Sequence, residues 1–457
     1  MIRQLALSAV LVCAVTPVAA QNFVTMDIGS ARQLATQSLL VGNASGALRL
    51  AEQLRDAAPD DREALLIITA AAGRVGDFDK AREAGLAALA MSEDDQQRYE
   101  AARLLARAAA DAERFGTSSY WLRRSLVFAP DVAAQQASLR DARAVAVRNP
   151  LRMGASFSIA PSQNVNGGAT NSISSAPGNP TGRLSDDALA LAGWRAVSNL
   201  SIDMRLWQSD DARLQFGFDT STARVRITDA TDIPDAAFAT DWTEVGLDYR
   251  WVGQGNSVSA GLTRGRLRYG DYDNVTGTIS DQHYDTRGLS FGYRQALGAQ
   301  TVASVTYDRV RLDYLNPRIH PVTRDEIGLG LRHQSPNGDV ISSNWSRKSS
   351  ESDSVNYRKS EQSFQLGYNR RAPIGPVSLS GSLSWSWAEY PDYVLLFPVT
   401  GGRQDHTVAG SVTLGLSEMS FAGFTPQITF STSRTDSNVS RFVQESRGVG
   451  LSFQSQF

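Results

Sequence analysis

Few residues in this 457-residue chain have the types and spacing for chemistry. Gly288, Ser290 and Gly292 reproduce the G-x-S-x-G spacing of a hydrolase nucleophile elbow. That elbow needs a strand, a sharp turn and then a helix. Here the flanking residues read as one uninterrupted strand, so the spacing is taken as coincidence. The four histidines, His283, His320, His333 and His406, are scattered, with no pair at metal-ligand spacing. Asp271, Asp273 and Asn274 carry calcium-type oxygens but are read as a solvated loop. No glycine-rich phosphate loop precedes a helix. The single cysteine, Cys13, lies in a stretch expected to be removed, which leaves no thiol for a disulfide or a cysteine metal site. The expectation is no enzyme, no cofactor and no metal. A net charge of −2 gives no electrostatic footprint for nucleic acid.

The elements around these residues fall into three parts. Arg3, the apolar run from Leu5 to Val15, Pro17 and the small residues Ala19 and Ala20 form a secretory signal, expected to span residues 1–20. Residues 21–149 then show helical spacing rich in Ala, Leu and Arg. Ala47, Ala51, Leu54 and Pro59 form one set of small and apolar positions closed by proline. Ala81, Gly85, Ala88 and Glu93 repeat it about 34 positions later, and Ser118, Leu122, Ser125 and Pro130 repeat it more loosely. That period is the one of a tetratricopeptide repeat, in which small residues let paired helices cross closely. The reading is a short α-solenoid of about three degenerate repeats with one extra helix at 131–148, presenting a concave docking face.

Asn149-Pro150 ends the helices, because the residue before proline disfavours helix. From 150 to 457 the period changes to two. Leu200, Ile202, Met204 and Leu206 alternate with polar residues. So do Val245, Leu247, Tyr249 and Trp251, the set from Val377 to Trp387, and the closing stretch Val449, Leu451, Phe453 and Phe457, broken only at Ser455. About fourteen such strands are counted. Short connections near 209–210, 253–255, 297–298, 335–337, 373–374 and 419–423 alternate with longer ones near 161–196, 228–238, 271–282, 316–322, 350–357 and 390–404. Alternating short and long connections are the pattern of an antiparallel transmembrane β-barrel, with the short turns periplasmic. Trp207, Trp251, Tyr269, Trp345 and Tyr390 near strand ends suit interfacial girdles. The fold expected is α plus membrane β, a periplasmic helical domain followed by an outer-membrane barrel over 150–457.

Two polar groups stand as candidate lumen or rim residues: Glu244, Asp248 and Arg250, and Arg264, Arg266 and Arg268. The second group continues the parity of Val258, Ala260 and Leu262. At the bilayer midplane each arginine would cost about 2–4 kcal/mol. Either Gly265 marks a bulge that reverses the parity, or the arginines lie above the membrane beside anionic head groups.

The segment Pro161, Asn164 and Asn166, leaving the first strand, resembles the Pro-x-x-Asn-x-Asn segment of the surface lipoprotein assembly modulator family. The closing hairpin, with Pro426, Ser437, Asn438 and the terminal Phe457, is similar to that family's ending. The order of signal, short helical repeat and barrel matches as well, although the helical domain here is short. The resemblance implies a translocon that delivers lipoproteins or secreted proteins to the cell surface. Its implied partners are protein or lipoprotein cargo, periplasmic chaperones, the barrel-assembly machinery and outer-membrane lipid. The rival readings are a polysaccharide-export channel, a passive porin and a barrel hydrolase.

Overall fold

The computed structural model describes residues 26–273, 276–416, 419 and 424–455. The expected signal at 1–20, Asn274 and the terminal Phe457 lie outside them. The described residues form two compact units that divide between Arg114 and Phe115.

The described part of the first unit holds five helices: α1 (Ile28–Leu40), α2 (Ala44–Ala57), α3 (Arg62–Val75), α4 (Phe78–Ala90) and α5 (Asp95–Asp111). Each starts at an Asp or Asn whose side chain accepts a hydrogen bond from the amide three residues on: Asp27, Asn43, Asp61, Asp77 and Asp94, at 2.7–3.1 Å. These caps satisfy amide donors that the first turn leaves without a partner. Asp61 also receives Arg32 Nε at 2.7 Å and so ties α1 to the start of α3. Ala47, Ala51, Ala81 and Ala88 are fully buried and Leu54 nearly so, with Leu65 and Ile68 completing the core. A Cβ on Gly85 would sit 2.5 Å from Leu105 Cδ2, so glycine is what lets α4 approach α5. Pro59 follows the end of α2, where the chain turns into α3.

The second unit begins with α6 (Phe115–Val127) and α7 (Val132–Arg148). They pack through Ser118, Leu122, Ser125 and Ser138, with Ser125 and Ser138 hydroxyls 2.8 Å apart. Pro130 lies in the turn between them. None of the described helices is long and apolar enough to cross a membrane.

The rest is a closed antiparallel barrel of fourteen strands. They are β1 (Leu151–Ser162), β4 (Gly193–Gln208), β5 (Ala212–Ile227), β6 (Thr240–Val252), β7 (Asn256–Asp273), β8 (Thr278–Ala296), β9 (Thr301–Tyr314), β10 (Val322–Gln334), β11 (Val340–Glu351), β12 (Lys359–Asn369), β13 (Val377–Tyr390), β14 (Arg403–Leu416), β15 (Phe424–Ser437) and β16 (Gln444–Ser455). The two-residue strands β2 (Ile173–Ser174) and β3 (Gly182–Arg183) form a hairpin inside the first long loop. Sequential neighbours pair throughout, and β1 closes on β16. One parity of every strand is apolar and solvent-accessible, as at Met153, Phe157, Leu247, Leu262, Phe291, Leu329, Val412, Phe430 and Leu451. The other parity is Ser, Thr, Gly and charged residues. A closed wall that is apolar outside and polar inside is stable only in lipid, because water outside would leave a continuous apolar girdle hydrated.

Among the described residues the connections agree with the short and long alternation, with one correction; the short connection expected near 419–423 lies outside them apart from Met419. Residues 271–282, expected as a long loop, belong mostly to β7 and β8, which pair out to Asp273 and Thr278. Both strands extend past the apolar girdle, where water wets both faces and the hydropathy alternation stops while the hydrogen-bond ladder continues. A second correction concerns the girdle. Trp251 and Trp345 lie on the apolar parity, but Tyr269 and Tyr390 lie on the polar one. Asp339 anchors a short turn. The Arg371 amide and then the Tyr368 hydroxyl donate to it and hold its carboxyl below the usual value.

Candidate functional site

The site is the lumen with its two rims. The strand register settles the direction of each predicted lumen or rim residue. Glu244, Asp248 and Arg250 on β6 point inward. Their neighbours are Asp219 opposite Glu244, and Arg213 opposite Arg250. Asp203, inward on β4, lies across from Gly217 in the same zone. Carboxylates therefore gather at mid-height on β4–β6, with Arg213 and Arg250 below them toward the short turns. On β9–β12 the inward charges are mixed. Lys348 lies 3.6 Å from Glu326, and Lys359 lies 2.6 Å from Glu361.

The opposite wall is neutral and small. Ser380, Ser382, Ser384 and Ser386 of β13 face inward beside Ser411 and Thr413 of β14, Thr429 and Ser431 of β15, Gly448 and Gly450 of β16, and Ser156 and Ser158 of β1. Hydroxyls bridge the strands, at 2.9 Å for Ser382 with Ser411 and 2.9 Å for Thr413 with Thr429. Such pairs satisfy one another and leave a smooth surface with little to grip a passing chain. At the long-loop end, Tyr269, Tyr284, Tyr314 and Tyr357 form an inward ladder with centroids 5.0–6.4 Å apart. Sequence reasoning missed this ladder, because its members come from three strands and a loop and only the register brings them together.

Arg264, Arg266 and Arg268 point outward. The β6–β7 and β7–β8 registers run unbroken through Gly265, so there is no bulge. On β7–β8 the arginines lie beyond the last apolar pair, Leu262 with Leu289, toward the long loops, while on the β6 side Arg264 is in register with Val245.

The Asn residues of the first loop are structural pins. Asn164 is buried. Its Oδ1 accepts from Gly168 N at 2.7 Å, and its Nδ2 donates to Gly168 O at 2.9 Å and to Glu445 O at 3.4 Å. Asn166 Oδ1 accepts from Leu191 N at 3.0 Å while its Nδ2 donates to Leu189 O at 2.6 Å, joining the two ends of the loop. A Cβ on Gly168 would collide with the Leu189 carbonyl, so the loop closes only with glycine there. Pro161, opposite Trp194 at the end of β1, offers no amide to β16. Asn438 does the same work at the β15–β16 loop. It accepts from Gln404 N at 2.8 Å and donates to Gly402 O at 2.8 Å, and Ser437 Oγ accepts from Val439 N.

The first loop also runs along the rim. Thr170 N donates to Val443 O, Ser175 N to Ser440 Oγ, and Phe397 N to Asn179 Oδ1 at 2.8 Å. Ala176, Tyr393, Val399 and Val439 form a small apolar core beneath it. This collar stands over the hydroxyl wall and bridges the closure between β1 and β16. That closure is the least paired in the barrel: its register among described residues is Ser156–Ile159 with Leu451–Gln454, plus Ser162 with Gly448. At the other end, Arg205 of β4 donates to the Arg148 carbonyl of α7 at 2.8 Å, and Arg123 of α6 stacks over Phe424 of β15, with burial holding its pKa below the usual guanidinium value. The α6–α7 hairpin therefore spans the same closure from the short-turn side.

The G-x-S-x-G match falls inside β8, with Ser290 paired opposite Gly261 and Asp308 and no helix after it. The four histidines lie on three strands and a loop. Among the described residues no cluster of metal-ligating side chains forms.

A closed barrel with an apolar outer wall, a polar lumen and long loops at one end is an outer-membrane β-barrel, and the chain resides in that membrane. Residues 265–457, from the middle of β7 to the end, match the family described as surface lipoprotein assembly modifier. Over that stretch the chain is similar to the family that its first loop and closing hairpin resemble. No curated protein matches the chain. Among solved structures, the outer membrane channel DcaP of Acinetobacter baumannii is 11% identical, covering 67% of this chain and 97% of that one at a TM-score of 0.38. The toluene transporter TbuX of Ralstonia pickettii is 10% identical, covering 67% and 89% at 0.34. OmpT of Vibrio cholerae, as a loop-deletion variant, is 7% identical, covering 67% and 99% at 0.35.

Proposed function

We propose that this protein is an outer-membrane translocon that delivers lipoproteins or secreted proteins to the cell surface. The observation that carries the reading is the family match over 265–457. The lumen suits it, since one wall is a neutral hydroxyl surface along which a polypeptide can slide. In this reading residues 1–20 are a cleaved signal, and the helices of 21–149 form a tetratricopeptide-like domain in the periplasm. That domain docks cargo or a chaperone, and the barrel-assembly machinery inserts the strands of 150–457. No nucleotide or metal chemistry is invoked, and folding of cargo outside supplies the bias.

The test is proteomics of intact cells and medium, with and without the gene, using surface labelling. One or a few proteins are expected to leave the surface or medium and accumulate in the periplasm. An unchanged profile overturns the reading. One observation favours a second reading, glycan export or a passive channel. The tyrosine ladder lines the long-loop end with aromatic rings, tilted or edge-on to one another, of the kind sugars pass over. A change in surface polysaccharide with an unchanged protein profile selects that alternative.

A further inference from the structure

The outward face of β7–β9 carries a row of like charges. In register, Arg264 lies opposite Arg287, and Arg287 opposite Arg311. Directly opposed like charges on adjacent strands repel and destabilise a sheet unless an anion lies among them. The neighbouring acids neutralise only part of the row. Asp313 sits 2.9 Å from Arg311 and 3.9 Å from Arg287. Arg264 has no ion pair among the described residues. Arg309, one position lower, is paired at 3.7 Å with Asp325, and Arg266, one position higher, at 2.6 Å with Asp285. Asp241 and Asp281 flank the patch, and Asp241 is held by Arg224 at 2.9 Å. The guanidiniums of Arg287, Arg309 and Arg311 stay more than half exposed.

The height of the row matters. Immediately below it lie Leu262 and Leu289 of the apolar girdle. A ligand that reaches the row from outside must therefore lay its own body along an apolar wall. A soluble anion does not do this, whereas a lipid with acyl chains below and phosphates above does.

We infer that the Arg264–Arg287–Arg311 row is a binding site for the phosphates of an anionic glycolipid of the outer leaflet, whose acyl chains lie on the Leu262–Leu289 wall. Guanidiniums match phosphate oxygens in paired, planar geometry. Such a site requires only the barrel's place in the outer membrane, whatever the lumen carries.

The test uses the full chain purified in a non-ionic detergent. Bisphosphorylated lipid A and the same glycolipid with its phosphates removed are titrated against it, with bound mass read by native mass spectrometry and the thermal midpoint read in parallel. The bisphosphorylated form is expected to bind and raise the midpoint, and the dephosphorylated form to do neither. The triple variant Arg264→Gln/Arg287→Gln/Arg311→Gln is expected to lose on the order of tenfold or more in affinity. Arg434→Gln/Arg447→Gln, outward arginines on the far side of the barrel paired with Asp436 and Glu445, is expected to bind as the unsubstituted chain does. Equal binding of the two glycolipids to the unsubstituted chain overturns the inference even if the triple variant fails to fold. So does equal binding by the triple variant and the unsubstituted chain.

Discussion

At the scale of single residues, the outer rim depends on three asparagines. Asn164, Asn166 and Asn438 each use both ends of the amide on backbone groups, which makes them interchangeable with nothing of the same size. Aspartate lacks the donor, and alanine lacks both partners. Asn166→Ala leaves the Leu189 carbonyl and Leu191 amide without their partner, at a local cost of about 1–3 kcal/mol. The expected outcome is protease cleavage within 163–192 on intact cells, under conditions where the unsubstituted protein is resistant. Equal resistance would remove the pinning role. Asn438→Ala is expected to expose 391–402 and 438–443 in the same assay. The sequence flagged these asparagines through a family resemblance, but their partners lie up to 281 positions away, and no local pattern contains them.

Elements differ in how much of themselves they show. The helices were legible because small and apolar positions recur at an interval of about 34; the Asp and Asn caps that start them emerged only with the structure. Gly85→Val forces a side chain into Leu105 and Thr69 and is expected to destabilise the first unit by about 1–3 kcal/mol. The helical signal in circular dichroism should then melt earlier, while the barrel's resistance to unfolding in cold SDS is unchanged. An unchanged helical melt would mean α4 and α5 can part freely at that point. Strand number was legible because lipid imposes the period of two. Strand length was not, since the period vanishes where lipid ends, and β7 and β8 continue beyond it. The direction of Arg264, Arg266 and Arg268 was likewise undecidable from one strand. It needed the unbroken register with β6 and β8.

For the whole molecule, the two faces of the lumen are the main result that no single segment displays. Charges gather on β4–β6 and β9–β12, and hydroxyls and glycines form a broad wall on β13–β16 and β1 and a narrower strip on β7–β8, with Ser259, Gly261, Thr263, Gly288 and Ser290. If the hydroxyl wall is the path of a polypeptide, bulky charge there should obstruct it. Ser382→Arg/Ser411→Arg is expected to reduce surface delivery several-fold without altering barrel folding, read by surface labelling against heat-modifiable mobility. Matching double changes on the charged wall, Glu244→Gln/Asp248→Asn, are expected to have the smaller effect. The reverse ranking would move the path to the charged wall. Deleting 26–114, a compact unit of its own, is expected to leave a folded barrel that no longer exports. Normal export from that deletion would reduce the helices to a scaffold.

The collar over the β1–β16 closure has a consequence for timing. Its hydrogen bonds join residues 164–179 to residues 396–400 and 440–445, so nearly all of the chain must be made before they can form. Closing so long a loop early is entropically unfavourable, and nothing local rewards it. The first loop to leave the membrane is therefore the last to become ordered. Its ordering coincides with the arrival of the final hairpin and marks a barrel whose circumference is complete. An intermediate stalled short of β15 and β16 would carry 163–192 as an open, cleavable strap, visible to any surface protease before the ring has shut.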